Sequence, residues 1–128
     1  ELPYRTEYDE SYIREMLQAL AKLGPRYVAL TGVSFEKGRL GVMYYDREKD
    51  EYGSYFAEHL PASFHGTGDV FASTCVGGLM RGLSLGEALA LAADYTVECI
   101  RLTLASPEAK WYGVEFESAI PYLVKRLS

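Results

Sequence analysis

The 128 residues amount to about one domain, long enough to bury a hydrophobic core. Apolar residues make up 48% and charged residues 24%, an ordinary globular balance. A formal net charge of -5 argues against a nucleic-acid-coating protein, and no apolar run approaches the ~20 residues of a membrane span.

Along the chain, Ile13, Leu17, Leu20 and Leu23 recur at helical steps, the stripe of an amphipathic helix over residues 9–23. Asp9 or Ser11 caps its start and Gly24-Pro25 stops it. Tyr27-Val28-Ala29-Leu30 is a short unbroken apolar run, ended by Thr31-Gly32. Such a run straight after a helix predicts a strand buried on both faces, as in a parallel sheet. Residues 40–45 and 52–57 read as two further strands, with the polar DREKDE as their hairpin connection.

HLPASFHGTG then forms a loop, and residues 69–81 a helix containing Gly77-Gly78. Each glycine there costs about 1 kcal/mol relative to Ala, so close packing against the sheet is the expected compensation. Ser84-Leu85-Gly86-Glu87 is a capping box that opens a long helix to residue 104. SPEAKWYG reads as a loop and residues 116–127 as a last helix. Helix, strand, hairpin and three helices make an α/β or α+β domain.

The stretch SFHGTGDVFAS sets Gly66, Thr67, Gly68 and Asp69 where a loop meets a helix. The first amides of a helix have no intrahelical acceptor, and with the positive end of the dipole they form an anion site. Gly66 and Gly68 remove the side chains that would keep a phosphate off the backbone, and Thr67 adds a hydroxyl donor. An anion hole beside a carboxylate suits phosphoryl transfer to an alcohol. The amides would stabilise charge on the phosphoryl oxygens while Asp69 accepts the proton of the attacking hydroxyl. The P-loop pattern G-x-x-x-x-G-K-[ST] is absent, and the dinucleotide pattern G-x-G-x-x-G breaks at Phe71. By itself, G-x-G-D before a helix also fits a flexible loop with Asp69 as an N-terminal helix charge.

FHGTGDVFAS, the helix behind it and SLGEALALAADYTVECIRLT together resemble the C-terminal part of vitamin B6 kinases. These are the pyridoxal/pyridoxamine kinases of the ribokinase-like superfamily. PRYVALTGVS resembles their strand that ends beside the nucleotide phosphates, and YGVEFESAIPYL their closing segment, so the likeness runs from Leu2 to Leu127. The resemblance implies a three-layer α/β/α fold, of which this chain is the C-terminal, nucleotide-binding part. It implies ATP-dependent phosphorylation of the 5′-hydroxymethyl group of pyridoxal, pyridoxamine or pyridoxine. Gly66, Thr67 and Gly68 would then form the anion hole, with Asp69 as the catalytic base. Thr31 would touch an ATP phosphate, Phe64 would lie near the nucleotide, and Ile100, matched by counting along its helix, would line the adenine pocket.

Complete members of that family carry an N-terminal half with most of the sheet, the substrate pocket and the acidic residues that organise Mg2+. This chain opens at Glu1 with no initiator Met, so it is expected to be a C-terminal half that needs its N-terminal partner. Mg2+ ligands are expected mainly in that partner, and a homodimer is among the expected assemblies of the full-length enzyme.

Two other kinase readings remain, and one without catalysis. Hydroxymethylpyrimidine kinases are close relatives with a similar anion hole, but often carry Cys at the position of Asp69. Sugar kinases of the superfamily more often carry A-x-G-D or G-A-G-D, which Thr67 and His65 fit less well. The third is a nucleotide-binding fragment without turnover, against which the intact Asp69 counts.

His65 reads as a loop-shaping or nucleotide-stacking residue and His59 as structural. The 2 His and 2 Cys have no zinc spacing, so no metal site is expected. Cys75 and Cys99 fall in predicted helices and suit a reduced, cytoplasmic protein, with Cys75 a small core residue. Thr31-Gly32 is also ordinary turn chemistry, and Lys37, Arg39, Arg47 and Lys49 read as solvated.

Overall fold

Asp9 stands in extended backbone, and its Oδ1 accepts the N–H of Tyr12 at 2.9 Å, which starts α1 (Glu10–Ala21). The structure is a computed structural model that describes residues 9–60, 64, 66–105, 113–114 and 116–128. It divides into two units, Glu1–Phe56 and Ala57–Ser128. In the first, α1 buries Tyr12, Ile13, Leu17 and Ala21. Leu23, assigned to the same stripe by its spacing, lies beyond the helix end and is exposed.

The strands β1 (Tyr27–Val33), β2 (Arg39–Asp46) and β3 (Glu51–Glu58) form one sheet in that order, with β3 crossing the boundary between the units. β1 pairs antiparallel with β2, Val28 opposite Tyr45 and Leu30 opposite Met43. These residues share the core of the first unit with the stripe of α1 and with Val33, Tyr52 and Phe56. Tyr45 and Tyr52 stack within it, ring centroids 4.6 Å apart.

The parallel strand buried on both faces is therefore corrected. Within this chain β1 lies in an antiparallel pair and leaves Tyr27, Ala29 and Thr31 exposed. An apolar run does not report its own pairing. Ala29 has little surface to hide, and the Tyr27 ring lies under the Arg26 guanidinium, 4.7 Å from its carbon. Nor does the strand end at Thr31-Gly32. Gly32 takes a φ of 72°, the register shifts between Thr31 and Val33, and β1 continues through this bulge.

The hairpin connection of residues 47–50 is organised by Asp46, which is buried. Its Oδ1 accepts the N–H of Glu48 at 3.1 Å, an Asx turn, and its carboxylate takes two bonds from Arg26 at 3.2 and 3.4 Å. The Arg26 hydrogen bond outweighs burial, so the Asp46 carboxyl is held below its ordinary range.

The second unit packs α2 (Thr67–Met80) against α3 (Leu85–Ala105), and α3 against a 3-10 turn (Glu117–Ala119) and α4 (Ile120–Leu127). The predicted capping box is formed: Ser84 N–H donates to Glu87 Oε1 at 2.9 Å, and Glu87 N–H to Ser84 Oγ at 3.2 Å. A Cβ on Gly78 would stand 3.2 Å from the Cβ of Ala88 on α3 and 3.2 Å from Leu83 Cδ1, whereas one on Gly77 would meet nothing within 4 Å. Gly78 thus lets two helices approach, and Gly77 is exposed. Arg126 ties α4 to α3 through Asp94 Oδ2 at 2.8 Å. Among the described residues, no helix is long and apolar enough to cross a membrane.

Candidate active site

Gly66 is the N-cap of α2, in left-handed backbone with φ 93° and ψ -6°. An L-residue resists that conformation, so the turn from loop to helix calls for glycine here. The first intrahelical bond runs from Val70 N–H to the Gly66 carbonyl at 2.9 Å. The N–H groups of Thr67, Gly68 and Asp69 precede it and have no acceptor within the helix. Gly66, Gly68 and Asp69 are exposed. Among the described residues, a Cβ at Gly68 would have nothing within 4 Å, which leaves that side of the first turn open to an incoming group. Asp69 stands in that turn, where the helix dipole favours a carboxylate.

The Thr67 hydroxyl is a donor, and its partner within the chain is a backbone carbonyl. Thr67 Oγ1 donates to the carbonyl of Phe64 at 3.3 Å, closing the turn that leads into the helix. Phe64 in turn packs on an apolar cluster of Tyr95, Cys99, Val114 and Ala119, and Ile100 leans on the same cluster from α3. Two residues assigned to the nucleotide from opposite sides of the sequence therefore meet on one cluster. Thr31 belongs to the first unit, exposed on β1 next to its bulge. His65, together with residues 61–63 and 106–112 of the two predicted loops, lies outside the described residues.

Tyr95 and Val114 escape a reading of motifs. Tyr95 is buried, and its Oη donates to the carbonyl of Phe116 at 2.8 Å. Burial pushes this hydroxyl up to about 12, and the Cys99 thiol beside it up to about 11. Among the described residues, Val114 Cγ1 stands within 4 Å of a Cβ built on Gly66, at 3.9 Å. The only sequence signal is a tyrosine set among the small residues of ALAADYTVEC, since a buried phenol needs a partner.

Cys75 and Cys99 are both free thiols, Cys99 buried and Cys75 half-buried. His59 is exposed just past β3, and Lys37, Arg47 and Lys49 are exposed as expected. Arg39, also exposed, donates from Nη2 to the Phe56 carbonyl at 3.2 Å. Among the described residues, no three His, Cys, Asp or Glu side chains converge into a group able to hold a metal ion. The open first turn of α2 has room for a phosphate group beside the Asp69 carboxylate.

A profile of the phosphomethylpyrimidine kinase family matches residues 4–112. The chain belongs to that family. Solved structures agree with the phosphomethylpyrimidine kinase assignment. A candidate phosphomethylpyrimidine kinase of Bacteroides thetaiotaomicron superposes with a TM-score of 0.89 at 31% identity, over 95% of this chain and 42% of that one. A second crystal form of it, with pyridoxal, gives a TM-score of 0.86 at 31% identity, over 95% and 43%. Pyridoxal kinase from Lactobacillus plantarum has a TM-score of 0.82 at 25% identity, over 96% and 44%. The chain therefore shares the α/β fold of these kinases and spans less than half their length. No curated protein matches it.

Proposed function

We propose that this chain is the nucleotide-binding part of a kinase that transfers the γ-phosphoryl group of ATP to the 5′-hydroxymethyl group of a B6 vitamer. The observation that carries the reading is the first turn of α2. Gly66 turns the chain in left-handed backbone, Gly68 leaves open space among the described residues, and Asp69 stands exposed in the turn whose amides have no acceptor within the helix. The amides of Thr67, Gly68 and Asp69 would hold the oxygens of the transferring group, where charge accumulates. Asp69 would accept the proton of the attacking hydroxyl as its oxygen bonds to phosphorus and the bond to ADP breaks. Phe64 and Ile100, on one apolar cluster, suit the nucleotide base, and Thr31 is assigned to a phosphate from the resemblance alone.

The rest of the kinase, with the substrate pocket and the Mg2+ ligands, is assigned to an N-terminal partner. A homodimer and a cytoplasmic setting belong to the same reading. The second reading, hydroxymethylpyrimidine phosphorylation, is favoured by the family profile. Asp69 favours the B6 branch, as does the crystal form of the Bacteroides thetaiotaomicron relative with pyridoxal.

The test follows ATP consumption by the full-length kinase with pyridoxal, pyridoxamine, pyridoxine and hydroxymethylpyrimidine, beside Asp69→Asn. Turnover of a B6 vitamer is expected, with a loss of about 10²–10⁴ in kcat for Asp69→Asn and nucleotide binding retained. Activity on hydroxymethylpyrimidine alone moves the chain to the second reading. Full activity in the variant refutes the role of Asp69.

A further inference from the structure

We propose that Tyr95 is a positioning residue of the nucleotide site, acting through the carbonyl of Phe116 and the side chain of Val114 on the glycine turn at Gly66. The inference rests on the kinase reading above. Three observations carry it. The Tyr95 hydroxyl donates to Phe116 O at 2.8 Å, across 21 residues of sequence. Val114, two residues before Phe116, is buried in the same cluster as the Tyr95 ring. Its Cγ1 stands 3.9 Å from where a Cβ on Gly66 would lie, at the residue whose backbone aims the first amides of α2. Phe64 and Ile100, both assigned to the nucleotide, pack on this same cluster.

The chemistry explains why the residue is Tyr and not Phe. The ring is 3% exposed, and burying a hydroxyl costs stability unless it is bonded. Phenylalanine would fill the same volume without that requirement. What the hydroxyl adds is a fixed distance between α3 and the chain entering the 3-10 turn, whose N-cap is Phe116. Its raised pKa keeps it a donor throughout the working range of an enzyme.

The test uses the full-length kinase with three variants: Tyr95→Phe, Val114→Ala at the next link, and Tyr122→Phe. Tyr122 packs on the same cluster, but its hydroxyl accepts from Arg126 Nη1 at 2.7 Å. ADP affinity is read by calorimetry, with KM for ATP, KM for the alcohol, kcat and Tm alongside. Tyr95→Phe is expected to weaken ADP binding and raise KM for ATP about fivefold, the factor for one net hydrogen bond. Val114→Ala, which loses packing instead, shifts both in the same direction, with KM for the alcohol unchanged in each variant. Tyr122→Phe lowers Tm and leaves ADP affinity unchanged.

A fall in Tm with unaltered ADP affinity in Tyr95→Phe overturns the proposal, as does equal weakening by Tyr122→Phe. If Tyr95→Phe does not fold, Val114→Ala decides by the same split. A wild-type enzyme that phosphorylates no alcohol and binds no ADP instead removes the kinase reading, and this inference with it.

Discussion

Replacing Gly68 by alanine separates stability from catalysis, because the two effects have opposite signs. Gly68 is the second residue of α2, and its φ is not positive, unlike that of Gly66. A methyl built there meets nothing within 4 Å, so it displaces no neighbour. Alanine restricts the unfolded chain and suits a helix, so the exchange stabilises by about 0.5–1 kcal/mol. In an enzyme more than twice the length of this chain, as its relatives are, this raises Tm by no more than about 2 °C. Under the proposed function, the same methyl occupies the space a phosphoryl oxygen needs to reach the amides. Loss of one donor of such a hole costs about 10²–10³ in kcat, or about 3–4 kcal/mol of barrier. Scanning calorimetry and initial rates of ATP consumption with pyridoxal on the full-length enzyme measure both. A more stable enzyme that is at least 30-fold slower is the expected result. A raised Tm with kcat and KM within twofold of wild type refutes the anion-hole role of Gly68. A lowered Tm refutes the geometry itself.

Three other perturbations test neighbouring parts of the argument. Gly66→Ala meets Val114 only at ordinary contact, so its cost is backbone strain at φ 93°, about 1–2 kcal/mol in urea unfolding; no loss would mean the turn is not left-handed. Gly77→Ala is expected to stabilise by about 1 kcal/mol, whereas Gly78→Leu costs about 1–3 kcal/mol because Ala88 cannot retreat from α3; similar midpoints for the two would contradict the α2–α3 contact. The third is a pH dependence. The Asp46 carboxyl is depressed in the fold, so its contribution is complete above its unfolded value of about 3.9 and disappears as pH falls through the folded value. The stability gap between wild type and Asp46→Asn should therefore narrow progressively as pH falls below about 4, and a gap that does not change with pH in that range argues against the Arg26 pair as its source.

The helices and the hairpin were legible because their signals are local. Asp9 caps α1 through a bond three residues away, and Ser84 and Glu87 satisfy each other across a single turn. The glycine turn was legible for the same reason, since a left-handed Gly66 before a first-turn Asp69 needs only its own backbone. The contacts that misled were long-range. Burial of an apolar run says that something covers it, not whether a parallel or an antiparallel neighbour pairs with it, and β1 proved antiparallel with an exposed Thr31. A helical glycine announces close approach without naming its partner, and for Gly78 that partner is α3.

By itself, then, the sequence determined the order of elements, the caps that bound them and the residues of the glycine turn, because each depends on bonds spanning a few residues. The tertiary structure alone decided the pairing of β1, the commitment of the Thr67 hydroxyl to Phe64 and the packing of Phe64 and Ile100 on one cluster. It also decided the tether from Tyr95 to Phe116, 21 residues on. A side chain's hydrophobicity or hydrogen-bonding capacity states a demand for a partner; only the folded chain brings the distant residue that meets it.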